Sequence, residues 1–297
     1  MLKTGIKKEM MFFTRSFRMW GIILAAVLFA VASPLLMKLS FFMLSAIEDS
    51  DFSFGDADSS ISENVNDMTL DTAVDSSNLP HFLGATAYEE FMAPMGIIGA
   101  LGDLTGTLML VTMLVTMYSA GGELKKRSMI IPQNAGLTPK LYILPKFLVY
   151  PLAMAVIGFC GVWISCGVNA LVFSGSSINV EAEAVTALAV AVFDAFMTAA
   201  YFTLGLCTSK AGLSVAVMYG GNVILTALFG ALGADKFHPF TLTSQAQNAL
   251  MGEGTDAVNL WGSIGITLLI IILCYFVTLF VISAKRIDNR GREEMKL

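Results

Sequence analysis

Three stretches of this chain, residues 147–173, 211–234 and 257–284, contain no Lys, Arg, Asp or Glu. Each is at least as long as the roughly 20 residues an α-helix needs to cross the hydrocarbon of a bilayer. In hydrocarbon no water satisfies the backbone, so a segment there must be a helix or part of a closed barrel. A barrel strand needs only about 9–11 residues, so runs this long are helices.

Three further runs carry one charge each: Met19–Ile47 holds Lys38, Phe91–Ala120 holds Asp103, and Ala184–Thr208 holds Asp194. One charge does not disqualify a span of this length. With 56% hydrophobic and 14% charged residues, the solvent for most of the chain is lipid. The expected fold is therefore an all-α membrane protein with six transmembrane helices. The first run is too long for the apolar part of an ordinary signal peptide, and no small-residue cleavage site precedes Lys38. It is expected to remain as an anchor.

Lys and Arg number five in 1–18, five in 121–146, one at Lys210 and five in 285–297, against Lys236 alone in the alternate segments. That asymmetry places both ends, the 121–146 loop and the turn at Lys210 in the cytoplasm. Six spans likewise require both ends on one side. Lys38, near the outer end of 19–47, can snorkel to the headgroups.

Leu2, Ile6, Met10, Phe13 and Phe17 recur at spacings of four, four, three and four, which is one helical face. Lys3, Lys7, Lys8 and Arg15 fall mostly elsewhere. Residues 1–18 thus read as an amphipathic elbow helix in the inner membrane surface, turning into the first span near Trp20. Residues 48–90 carry eleven Asp or Glu and no Lys or Arg, a composition too polar to fold alone. This outer loop is either a solvated connector or a lid whose negative field favours cations. Within 147–284, the outer 235–256 segment contains His238-Pro239-Phe240 and a 241–251 run suited to a short interfacial helix.

Chemistry is sparse. His81 and His238 are the only two histidines, and no phosphate-binding glycine loop, His-Glu-x-x-His or Gly-x-Ser-x-Gly is present. No ATPase resides in this chain. Glu89-Glu90 lacks the basic residue that a prenyl-processing type of intramembrane protease would place soon after it. Cys160, Cys166, Cys207 and Cys274 all lie in spans and show no disulfide or metal-ligand spacing. The informative residues are the intramembrane carboxylates, which should face protein or a water-filled path rather than lipid. Asp103 shares a face with Gly96, Gly99 and Gly106, and Asp194 shares one with Ala191, Thr198, Tyr201 and Gly205. Both are candidates for a translocation path; the alternative is a packed, protonated side chain.

The loop at 123–146 opens with Glu123, carries Lys125, Lys126 and Arg127 before Met129-Ile130-Ile131, and has Pro139-Lys140 and a terminal Lys146 ahead of Phe147. In this the chain resembles the permease subunits of type-2 ABC exporters, whose corresponding loop runs from an acidic residue through hydrophobics, a proline and basic residues to a lysine. Arg127-Ser128 stands where that family has Gly-Thr, and Gly136 stands near the family proline. The resemblance implies an elbow helix, six spans and a coupling helix docking on a separate ATP-binding subunit, with Glu123, Lys125, Lys126, Arg127, Ile130, Lys140 and Lys146 as coupling residues. It implies a second membrane subunit, identical or homologous, and a non-catalytic role for this chain, with ATP and Mg held by the partner. No cofactor or nucleic-acid partner is expected; the expected location is a bacterial cell membrane. Two other classes stay open: an ion-coupled secondary transporter using Asp103 and Asp194, and a non-transporting membrane sensor or scaffold.

Overall fold

The computed structural model of the chain describes residues 2–15, 17–48, 94–113, 138–173, 179–208, 217, 220–221, 224, 227–233, 237–251 and 257–294. Among these the regular structure is helical, without strands. In chain order the helices are α1 (Leu2–Arg15), α2 (Phe17–Glu48), α3 (Pro94–Met113), α4 (Pro139–Val172), α5 (Val180–Thr208), α6 (Leu242–Leu250) and α7 (Ala257–Glu294). A 3-10 turn spans Pro239–Thr241 and leads into α6. Among the described residues, five helices contain stretches long and apolar enough to cross a membrane: Met19–Ser40, Pro94–Met113, Lys140–Val172, Val180–Cys207 and Asn259–Ala284. Of the 211–234 run, residues 217, 220, 221, 224 and 227–231 are helical. The 49–90 part of the acidic loop lies outside the described residues.

Two helices begin earlier than their apolar runs. α4 starts at Pro139, eight residues ahead of the expected 147, so the end of the expected 121–146 loop is helical. Proline is well placed there, since the first helical N–H has no intrahelical acceptor to lose. The polar extension persists because α1 packs along it and pairs its buried lysine. α5 likewise starts at Val180 rather than Ala184, with Glu181 and Glu183 in its first turn, where carboxylates complement the helix dipole. At the other end, α7 continues to Glu294, through most of the basic tail.

Which helix becomes central follows from side-chain size. In lipid, apolar surface gains little by contact with protein, so packing favours small residues that allow close approach and polar residues that lipid cannot serve. α5 supplies both, with Ala187, Ala189, Ala199 and Ala200 beside Thr186, Asp194, Thr198 and Thr203. Its most apolar window is 83% buried, against 28% for α2 and 17% for α7. α7 instead turns Leu269, Leu273, Phe276 and Phe280 outward. Where α5 meets α7, Thr278 donates to Thr203 Oγ1 at 3.1 Å and Thr203 reaches the Cys274 carbonyl at 3.3 Å. Interhelical bonds of this kind average about 0.6 kcal/mol in a membrane protein, so burial of small residues carries most of the contact.

α1 rests chiefly on α4. Phe13 is buried edge-on against Tyr150, with ring centroids 5.2 Å apart, and Ile6 is half-buried. Lys3, Lys7, Lys8 and Arg15 are exposed. Met10, on the same apolar stripe, stays 58% exposed and borders a groove between α1, α2 and α4. Further along α2, Lys38 Nζ lies over the Phe173 ring at 5.2 Å.

Candidate functional site

The sequence singles out one cytoplasmic loop and two intramembrane carboxylates. Glu123, Lys125, Lys126, Arg127 and Ile130 lie outside the described residues. Lys140 is exposed on the first turn of α4. Lys146, two turns further along, is 2% exposed. Its Nζ lies 3.3 Å from Glu9 Oε1 and 3.4 Å from Glu9 Oε2, and 5.1 Å above the Tyr142 ring centroid. A buried ammonium requires such compensation, because removing it from water costs several kcal/mol. Lys146 therefore ties α1 to α4.

The two carboxylates occupy different surroundings. On α3 the glycine stripe divides. A methyl group at Gly96 would meet Asn169 Oδ1 at 2.7 Å and Pro34 Cα at 3.3 Å, and one at Gly99 would meet Ser33 Oγ at 2.5 Å. That half of the stripe is where α3 approaches α2 and α4, and Ser33 donates to the Gly96 carbonyl at 3.3 Å. Asp103 is only half-buried, and Gly102, Gly106 and Thr107 beside it are exposed. A carboxylate on the open side of a helix, flanked by small residues, leaves room for a facing surface to approach.

Asp194 is enclosed, with 5% exposure. Ala191, Thr198, Tyr201 and Gly205, the residues expected to share its face, are buried with it. The carboxyl seats against Gly158 of α4: a methyl there would come within 3.1 Å of Asp194 Cγ and closer still to Oδ2. Asp194 Oδ2 has no hydrogen-bond partner among the described residues. Thr198 donates to the Asp194 backbone carbonyl at 2.7 Å, a local bond that leaves the carboxyl unserved. An unserved carboxyl deep in a membrane helix is costly when ionised, which suits either a protonated packing residue or one that exchanges a proton or ligand in another conformation.

Sequence reasoning passed over several residues that define these sites. Glu9, partner of Lys146, is one acidic residue in a basic helix, and nothing local announces contact with a position 137 residues away. Gly158 sits in a run free of charges and carries no motif. Ser165, Asn169 and Glu183 are buried, and Ser165 Oγ, Asn169 Oδ1 and Glu183 Oε2 lack hydrogen-bond partners among the described residues. Their polarity within apolar helices was the available signal.

In the 237–251 segment α6 packs on α5, with Thr186 donating to the Ala246 carbonyl at 3.2 Å. Phe240 meets Phe193 and Phe196 edge-on, at 6.1 and 5.7 Å. His238 is 1% exposed between Phe229 and Phe240, and its Nδ1 accepts the Phe240 N–H at 3.3 Å. Burial holds its pKa below the usual histidine value of 6.5, so the ring is neutral at pH 7. No group of three or more His, Cys, Asp or Glu suited to a metal ion occurs among the described residues.

Comparison with protein-family models, curated proteins and solved structures gives no match.

Proposed function

We propose that this chain is the membrane-spanning permease subunit of an ATP-driven exporter, working with a separate ATP-binding subunit and a second membrane subunit. In this reading α1 is an interfacial elbow helix and 211–234 completes a six-span bundle with both ends in the cytoplasm. The 121–138 segment docks on the ATPase, which holds ATP and Mg. Asp103, on the open side of α3, faces the second membrane subunit across the translocation path.

The observation that carries the reading is the attachment of α1 to the first turns of α4, through Glu9–Lys146 and Phe13–Tyr150. Those turns follow directly on the loop assigned to docking. A displacement of that loop would move the start of α4 and α1 as one piece. α4 packs extensively on the buried α5, so the movement would reach the core of the bundle. A chain without its own nucleotide site needs a mechanical route of this kind.

A second reading, an ion-coupled carrier, draws on the enclosed carboxyl of Asp194. The two are separated by purification in mild detergent and reconstitution. The permease reading expects a nucleotide-hydrolysing polypeptide to co-purify with the chain, and Ile130→Asp to abolish that association while the chain still inserts, because it places a charge in an apolar contact. Unchanged co-purification in Ile130→Asp removes the docking assignment. Absence of any ATPase, together with a proton or cation flux carried by the chain alone, establishes the carrier instead.

A further inference from the structure

The groove between α1, α2 and α4 has a volume of about 610 Å³. None of its lining residues is charged, and its long wall runs from Leu148 to Ile164 on α4. Sixteen residue steps of helix extend about 24 Å. One leaflet contributes about half of a hydrocarbon core roughly 30 Å thick, so the groove is long enough for one acyl chain of that leaflet. In water such a groove would collapse or recruit a partner; beside a bilayer it opens onto lipid.

The chemistry at one edge is different. Lys3, Lys7, Met10 and Thr14 follow one another on α1 at spacings of four, three and four, so they share a face. Met10 and Thr14 line the groove, and Lys3 and Lys7 are exposed one and two turns before them. Glu9, the acidic residue of this helix, is turned away and neutralised by Lys146. The groove edge therefore presents cationic charge without an opposing carboxylate from α1.

We propose that this groove binds one acyl chain of an anionic phospholipid, whose phosphate is held by Lys3 and Lys7. The lipid would fill the space left between α1 and the bundle and keep α1 seated against α4. The charge pattern favours this occupant over a second copy seated through the outward face of α7, because Leu269, Leu273, Phe276 and Phe280 offer Lys3 and Lys7 no counter-charge. Exposed Cys160, on the groove wall, reports on that alternative.

The full chain is reconstituted in phosphatidylcholine vesicles with a trace of phosphatidylglycerol carrying a photoreactive acyl chain, or with the matching phosphatidylcholine probe. Labelled peptides are then mapped. The phosphatidylglycerol probe should label 148–164 in preference to the phosphatidylcholine probe. Lys3→Gln and Lys7→Gln should each reduce that preference, by about fivefold per lysine removed, the expected attraction of one basic residue to anionic lipid. Ala153→Phe, which fills the groove, should lower labelling of 148–164 while labelling of the outward face of α7 is unchanged. Should that variant fail to insert, Val27→Phe fills the groove from the α2 wall. Equal labelling by the two probes, or a preference that survives both lysine substitutions, overturns the proposal. So does efficient Cys160–Cys160 cross-linking between copies with 148–164 unlabelled, which would assign the groove to a second copy.

Discussion

Lys146 and Glu9 form an ion pair at 3.3 Å in which the lysine is almost wholly buried, joining the first helix of the chain to the first turns of α4. Breaking a buried pair from one side leaves the other charge without compensation. Lys146→Met and Glu9→Gln are each expected to destabilise the protein by on the order of 3–5 kcal/mol. Replacing both, as Glu9→Leu with Lys146→Met, should restore most of the loss, since two apolar side chains need no counter-charge. Thermal unfolding in detergent reads this directly; additive effects of the two substitutions would show that the residues are not coupled.

Gly158 and Asp194 make a second testable contact. Gly158→Ala forces a methyl group onto a buried carboxyl, and overpacking of this kind costs about 1–3 kcal/mol. Shortening the acid, as Asp194→Ser, should rescue Gly158→Ala, whereas the nearly isosteric Asp194→Asn should not. If Gly158→Ala is harmless alone, the seat has more room than the geometry allows. Asp194→Asn by itself separates packing from function: a normal melting temperature with altered activity places the carboxyl in the working path.

His238 sets an expectation for pH. Its folded pKa lies below the unfolded value of 6.5, so just beneath pH 6.5 the unfolded chain binds more protons than the folded one. Stability from this group is complete above pH 6.5 and is lost as pH falls through the folded pKa, at a slope of at most about 1.4 kcal/mol per pH unit. Protonation also removes the acceptor that Nδ1 offers to the Phe240 N–H. Melting curves from pH 7.5 to 5 should show the decline, and His238→Asn should flatten it. A native curve that does not fall in that window contradicts the neutral, buried ring.

The membrane orientation is expected from charge asymmetry alone. Single cysteines at Ser60 and Ser176, in a background lacking the native cysteines, should react with an impermeant reagent from outside intact cells. Those at Ser128 and Ser209 should not. External labelling of Ser128 would reverse the orientation.

Sequence alone was enough to place five membrane-type helices, because an apolar run longer than a bilayer core has no other way to satisfy its backbone. It was also enough to mark Asp103 and Asp194, since a charge inside such a run is conspicuous wherever the helix packs. Periodicity likewise found α1, whose apolar stripe repeats within a few residues. It could not tell that α4 begins at Pro139, because the start of that helix is stabilised by contact with α1 rather than by its own hydropathy. The same limit applies to Lys146, which reads as one more cytoplasmic cation until Glu9 is brought beside it. Nor could it separate the two carboxylates: Gly96 and Gly99 meet neighbouring helices while Gly106 meets none of the described residues, and only the packing of α3 decides which side of the stripe Asp103 occupies. Helix formation in lipid is a local requirement and is written along the chain, whereas the partner of each face depends on which small and polar surfaces meet, which is settled only when the helices assemble.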